Sequence, residues 1–225
     1  MCILCVFIRN WEKQYNRVKY PLTFYNHFLK RIKTCQDHND LFNYIFLMLH
    51  WKFGTVKKGT GEPTNTITIE GESFTWSSVD IARDFEECRN DADFLQKCFQ
   101  FRNGVISGYE FFRYIKEEKR IFPNRKLVPY VFLMHLLRPE QYPMIDQHVW
   151  RAMNIFQANL KSIYEKPKTW SDYEQYIKFF NNIVESLTGE GHIQLDRQTI
   201  DRGLWSFGKW IHYLLLDKLN QNLIS

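Results

Sequence analysis

Residues 125–153 read RKLVPYVFLMHLLRPEQYPMIDQHVWRAM, and how this stretch folds decides how the chain is understood. From Leu127 to Leu137 nearly every residue is apolar, so a helix here presents no polar face and is buried on all sides. The run is too short to span a bilayer, which takes roughly 20 apolar residues. Pro129 falls in the first turn, where proline is tolerated because those N–H groups have no intrahelical acceptor. Arg138-Pro139 and Tyr142-Pro143 then hold the chain extended, since the residue before a proline is driven from helical dihedrals. Asp146 is placed as the N-cap of a further helix. A buried helix is thus bracketed by Lys126 before it and a carboxylate after it.

Chain geometry permits the two to meet. A helix of about a dozen residues rises about 18 Å, and an extended connection of the length of Arg138–Ile145 reaches up to about 27 Å. The connection is long enough to run back along the helix.

The flanking sequence predicts more helices. LTFYNHFLKRIK (22–33) and DLFNYIFLMLHWK (40–52) carry apolar residues at three- and four-residue spacing. The same period returns in 79–101, in 107–120, in HVWRAMNIFQANLKSIY (148–164) and from about Thr199 to Leu219. Thr169 to Asp172 resembles a capping box with aspartate in place of glutamate. Between 64 and 76, alternating Ile and Thr followed by Glu70-Gly71 predict a small β-hairpin or loop. The expected fold is mostly α, a compact multi-helix globule in one domain, 1–225, with tentative lobes 1–104 and 105–225.

Composition bounds the function. Phe 19, Tyr 12 and Trp 7 supply a large aromatic core. Five cysteines, an odd number without a CxxC pair, predict reduced thiols in a cytoplasmic protein. The opening MCILCVFIRNW has no basic n-region or small-residue cleavage site, so it reads as a packed segment. His148 reads as structural, with no second histidine or carboxylate at ligand spacing to suggest metal, and neither metal nor cofactor is expected. The net charge of +5 is unevenly spread: residues 1–60 hold ten Lys/Arg against three Asp/Glu, and residues 61–95 hold two against nine. The basic segments suit a polyanion.

KLVPYVFLMHL followed by YPMIDQHVWRAM resembles the central segment of the helix-hairpin-helix (HhH-GPD) DNA glycosylases, closest to their 8-oxoguanine branch. The match covers about thirty residues and agrees elsewhere only in helical character. The resemblance implies that Lys126 is the catalytic lysine opening the helix after the hairpin, and Asp146 the catalytic aspartate starting the next. It implies DNA contacts by Asn124, Arg125, His148 and Arg151, and double-stranded DNA with a damaged or modified base as partner of a monomer. The family's hairpin carries Gly-x-Gly to bind a phosphate, whereas this chain has IFPNRK (Ile121 to Lys126). Either Asn124 and Arg125 replace that contact or the phosphate grip is weaker. The iron–sulfur subclass is excluded because no cysteine follows Cys98.

The implied chemistry is base excision. A fixed carboxylate stabilises positive charge developing on the sugar, and a neutral lysine amine attacks the anomeric carbon; burial and a helix N-terminus both favour the neutral form. The base must first leave the stack for an aromatic or apolar pocket, with Trp205 and Phe207 among the candidates. Taken singly, Asp146 reads as an N-cap and Lys126 as a solvated cation. Two other functions fit the sequence: a non-catalytic DNA-binding or interaction protein on the same scaffold, and a defence glycosylase acting on modified foreign DNA.

Overall fold

A computed structural model describes residues 2–59, 65–188 and 195–222, with side chains to 215. The fold is mostly α with one small antiparallel sheet, as the periodicity predicts. The start of the expected hairpin at residue 64 lies outside the described residues. The chain divides into two compact units: residues 16–139, and residues 1–15 together with 140–225. The predicted lobe boundary at 104/105 falls inside the first of these. No helix among the described residues is long and apolar enough to cross a membrane.

The unit of residues 16–139 holds α2 (Leu22–Thr34), α3 (His38–Lys52), α4 (Asp80–Glu86), α5 (Ala92–Arg102), α6 (Gly108–Arg113) and α7 (Leu127–Leu137). It also holds the strands β1 (Val56–Lys58), β2 (Thr66–Ile69) and β3 (Glu72–Trp76), in the order β1-β3-β2. The β2–β3 turn is made by Glu70 and Gly71, both at positive φ, which matches the twist of a two-residue hairpin. The third strand, β1, was not foreseen, because three residues are too few to show alternation. One face of the sheet is anchored by Phe74, fully buried and edge-on to Phe24 at 5.5 Å between ring centroids.

The chain from 79 to 101 forms two helices rather than one. Asp91 caps α5 by accepting from the Phe94 amide at 3.0 Å. Helix α6 opens on a full capping box, Ser107 with Glu110, and passes into a π-helical turn at Tyr114–Glu118. Helix α7 lies buried on every side, as its sequence demands, with Val131, Leu133, Met134 and Leu136 inaccessible to solvent. Each such burial contributes roughly 1.5–3 kcal/mol. Its one histidine, His135, is bonded at Nε2 to the Tyr25 hydroxyl at 2.6 Å.

The unit of residues 1–15 and 140–225 holds α1 (Ile3–Glu12), α8 (Gln147–Phe156), α9 (Trp170–Thr188) and α10 (Arg197–Asn222). The opening segment packs as a helix, with Cys5 and Ile8 buried. Two glycines in α10 let its neighbours approach. A Cβ on Gly203 would stand 2.7 Å from the Ile8 carbonyl oxygen of α1, and one on Gly208 would stand 1.9 Å from the His148 carbonyl oxygen of α8. The pair Arg202–Glu12, 2.9 Å apart and largely withdrawn from water, fastens α10 to α1. The Thr169–Asp172 capping box forms: the Asp172 amide donates to Thr169 Oγ1 at 3.2 Å and the Thr169 amide to Asp172 Oδ2 at 2.9 Å.

Helix α8 stops well before the predicted Tyr164. Ala158 turns left-handed at φ 54°, and the Asn159 and Ala158 amides donate back to the Asn154 and Ile155 carbonyls, closing a Schellman motif. Glycine usually marks such an end; here alanine fills the position, so the sequence carries no stop signal. Among the residues of the motif, Asn154 is buried and donates its side-chain amide to the Trp150 carbonyl.

Candidate functional site

The predicted site residues fall into two groups, one in each unit, and each group is built by the start of a helix.

The first group is the IFPNRK turn and the opening of α7. Phe122 to Arg125 form a β-turn closed by the Arg125 amide on the Phe122 carbonyl at 3.1 Å. Pro123 takes the second position, and Asn124 the third, at φ 62°. This is the pattern of a type II turn, which needs a residue tolerant of positive φ where glycine normally stands; asparagine is the usual substitute. The Phe122 carbonyl also accepts from the Tyr130 hydroxyl at 2.8 Å, so a residue of α7 itself locks the turn to the helix. Asn124, Arg125 and Lys126 are all exposed. Arg125 extends toward Asp84, at 3.7 Å.

Lys126 is the N-cap of α7, in extended backbone conformation, and its side chain makes no capping hydrogen bond. The burial expected to favour a neutral amine is therefore missing.

The second group surrounds Asp146. Its Oδ1 accepts from the backbone amides of His148 at 2.7 Å and Val149 at 3.2 Å, the geometry of an N-cap. Its Oδ2 accepts from the indole Nε1 of Trp205 at 2.9 Å. Both oxygens are thereby oriented by groups on two helices, α8 and α10. The Trp205 ring stands edge-on to Tyr15 at 5.4 Å and to the His148 ring at 5.3 Å. The Lys209 ammonium lies 4.9 Å from the centre of the same indole.

Two of the expected DNA contacts are drawn into the unit itself. Arg151 is buried, 4% exposed, and its guanidinium is engaged within the unit: Nε donates to the Ile163 carbonyl at 3.0 Å and Nη1 to the Gly208 carbonyl at 3.3 Å. An arginine so placed braces α8 against α10. His148 is half-buried, and burial, aided by the cations Arg151 and Lys209, pushes its pKa down to about 4 despite the Asp146 carboxylate. It is neutral at pH 7 and offers DNA no charge.

The indole bond to Asp146 could not be read from the sequence, which places Trp205 as a candidate for an aromatic pocket. The signal lay in DRGLWSFGKW (201–210): glycines inside a helical pattern mark close approach by another backbone. Gly208 admits α8, and that approach brings the α8 N-terminus within reach of Trp205. No group of three or more His, Cys, Asp or Glu that could hold a metal occurs among the described residues.

Comparison with known proteins gives no neighbour: no family model, no curated protein and no solved structure matches the chain.

Proposed function

We propose that the protein is a DNA glycosylase with associated AP lyase activity, acting as a cytoplasmic monomer without a cofactor and excising an oxidised or otherwise modified base, 8-oxoguanine-like, from double-stranded DNA. The observation that carries this reading is the turn ahead of α7. Asn124 takes the left-handed conformation that the glycine hairpin of the resembled family would supply, and delivers Lys126 exposed at a helix start.

In this reading the Lys126 amine attacks C1′ of the flipped nucleotide. The glycosidic C1′–N bond breaks with its electron pair passing to the base, which takes up a proton. The nitrogen then loses a proton as the sugar ring opens to the imine. Loss of the C2′ proton expels the 3′ phosphate by β-elimination. The resemblance gives Asp146, fixed by three N–H donors, the part of the carboxylate that opposes the charge of the developing oxocarbenium ion. Unstacking the base costs a few kcal/mol, least for a damaged or mismatched one.

The test is borohydride trapping on a duplex containing 8-oxoguanine, extended to a panel of damaged and modified bases. A covalent adduct that Lys126→Gln abolishes supports the reading. No adduct and no strand cleavage on any member of the panel would overturn it.

A second reading is favoured by the exposure of Lys126 and by the engagement of both Asp146 oxygens: a non-catalytic DNA-binding protein that keeps the helical scaffold. Salt-sensitive DNA binding, with no excision anywhere on the panel, distinguishes it.

A further inference from the structure

Beside the point where Gly203 lets α1 and α10 cross, the two helices open into a cleft of about 620 Å³. Its walls include Trp11, Trp205, Trp210 and Tyr213, and its only charged lining residue among those described is Lys209. Trp11 and Trp210 stand 5.2 Å apart at an angle of 44°. The Lys209 ammonium lies 4.9 Å from the Trp205 ring centre and 5.8 Å from that of Tyr213. Trp210 and Tyr213 nevertheless keep 43% and 53% of their surface exposed. Ser206, on the same wall, is 5% exposed, and its hydroxyl has no hydrogen-bond partner.

We propose that this cleft binds single-stranded nucleic acid, stacking unpaired bases on the exposed faces of Trp210 and Tyr213 while Lys209 meets the adjoining phosphate. Three features select this ligand. Half-exposed indole and phenol rings offer π-faces, on which any base stacks. Lys209 is the sole charge among the described lining residues, and each nucleotide brings a phosphate of opposite sign. The side-chain amides of Asn10 and Gln14, exposed and also in the lining, can bond base edges in either donor or acceptor sense. An apolar peptide side chain would instead bury Lys209 without a counter-charge, which is costly. Of the lining residues, Trp205 is shared with the excision reading, since its indole donates to Asp146 Oδ2; Trp210, Tyr213 and Lys209 are not.

The experiment is fluorescence anisotropy with the full chain and labelled oligothymidylate, against an oligomer of equal length whose sugars carry no bases. Oligothymidylate is expected to bind more tightly than the baseless oligomer. Trp210→Ala, folded by circular dichroism, weakens binding roughly 5- to 100-fold, the loss of about one stacked base. Lys209→Gln lowers the slope of log K against log salt by about 0.7, the value for one phosphate contact to a single strand. Equal binding of the two oligomers, or wild-type binding and salt slope in both variants, would overturn the proposal. Excision is read by borohydride trapping on damaged duplex and this site by anisotropy on undamaged single strands, so a failure of one and a failure of the other are separately visible.

Discussion

Helices α7 and α8 begin in opposite ways. The first is entered through a turn held by backbone and by a tyrosine hydroxyl, and its N-cap, Lys126, satisfies none of the helix's free amides with its side chain. The second is entered through Asp146, which satisfies two amides and an indole at once. Their surroundings differ in the same sense. Side chains enclose α7 on all sides, so its stability lies in apolar burial and its start is left free for other use. Helix α8 is instead approached by backbone at Gly208 and braced by the buried Arg151, so its start and its packing are one structure. The lesson is that the two candidate catalytic residues differ in structural debt: Asp146 has a large one and Lys126 almost none.

The severest way to break the α8 arrangement is Gly208→Ala. The new methyl would meet the His148 carbonyl oxygen at 1.9 Å, and a backbone atom cannot move aside as a flexible side chain can. Overpacking of this kind costs about 3 kcal/mol or more, and a thermal melt is expected to show Tm lowered by several degrees. A melt equal to wild type would mean that α8 and α10 do not pack through Gly208.

Next in size is the cap itself. Asp146→Ala removes the acceptor for two amides and the indole, and loss of an N-cap costs about 0.5–2 kcal/mol. Asp146→Asn keeps an acceptor oxygen for the amides and is expected to retain most of that stability in urea titration. The contrast separates structure from chemistry: the asparagine variant, folded but without the charge, slows excision under the proposed function. Equal destabilisation by both substitutions would show that charge, not hydrogen bonding, holds the helix start.

Acid affects both units through buried histidines, among them His50 in one and His148 in the other. Burial pushes His50, which is hydrogen-bonded at Nδ1 to Thr55, and His148 down to about 4, against about 6.5 in an unfolded chain. Between those values the unfolded state binds more protons, so stability rises with pH. Conversely, it is lost progressively as pH falls from about 6.5 to about 4 and changes no further from these groups below that. Urea midpoints taken across this window are expected to flatten in part in His148→Gln and in part in His50→Gln. An unchanged pH dependence in both variants would place the acid response elsewhere.

How much of this could be read beforehand depends on whether the signal was local. The apolar run of Leu127–Leu137, the Thr169 capping box and the Glu70-Gly71 turn each depend on neighbours within a few residues, and each formed as its sequence indicates. Asp146 as an N-cap was legible for the same reason. Signals that join distant parts of the chain were not. The Trp205–Asp146 bond spans 59 residues and exists because Gly208 admits α8; the burial of Arg151 depends on the same approach. Where an unusual residue took a familiar role, local reading also failed, as with Ala158 ending α8. Asn124 is the instructive intermediate: the missing glycine read as a departure, and the turn places asparagine at the left-handed position where glycine normally stands.

The smallest effect sharpens the comparison most. Lys126 is exposed, its side chain does not cap α7, and the backbone conformation at that position suits any residue. Surface substitutions of this sort change stability by no more than about 0.5 kcal/mol, and removal of a cation from a helix N-terminus acts in the stabilising direction. Lys126→Gln is therefore expected to unfold at the wild-type urea concentration or slightly above it, while abolishing borohydride trapping under the proposed function. A residue that the fold does not need and the helix dipole opposes has its justification outside stability. If instead Lys126→Gln destabilised the protein by as much as Asp146→Ala, the lysine would have a structural role, and the asymmetry between the two helix starts would disappear.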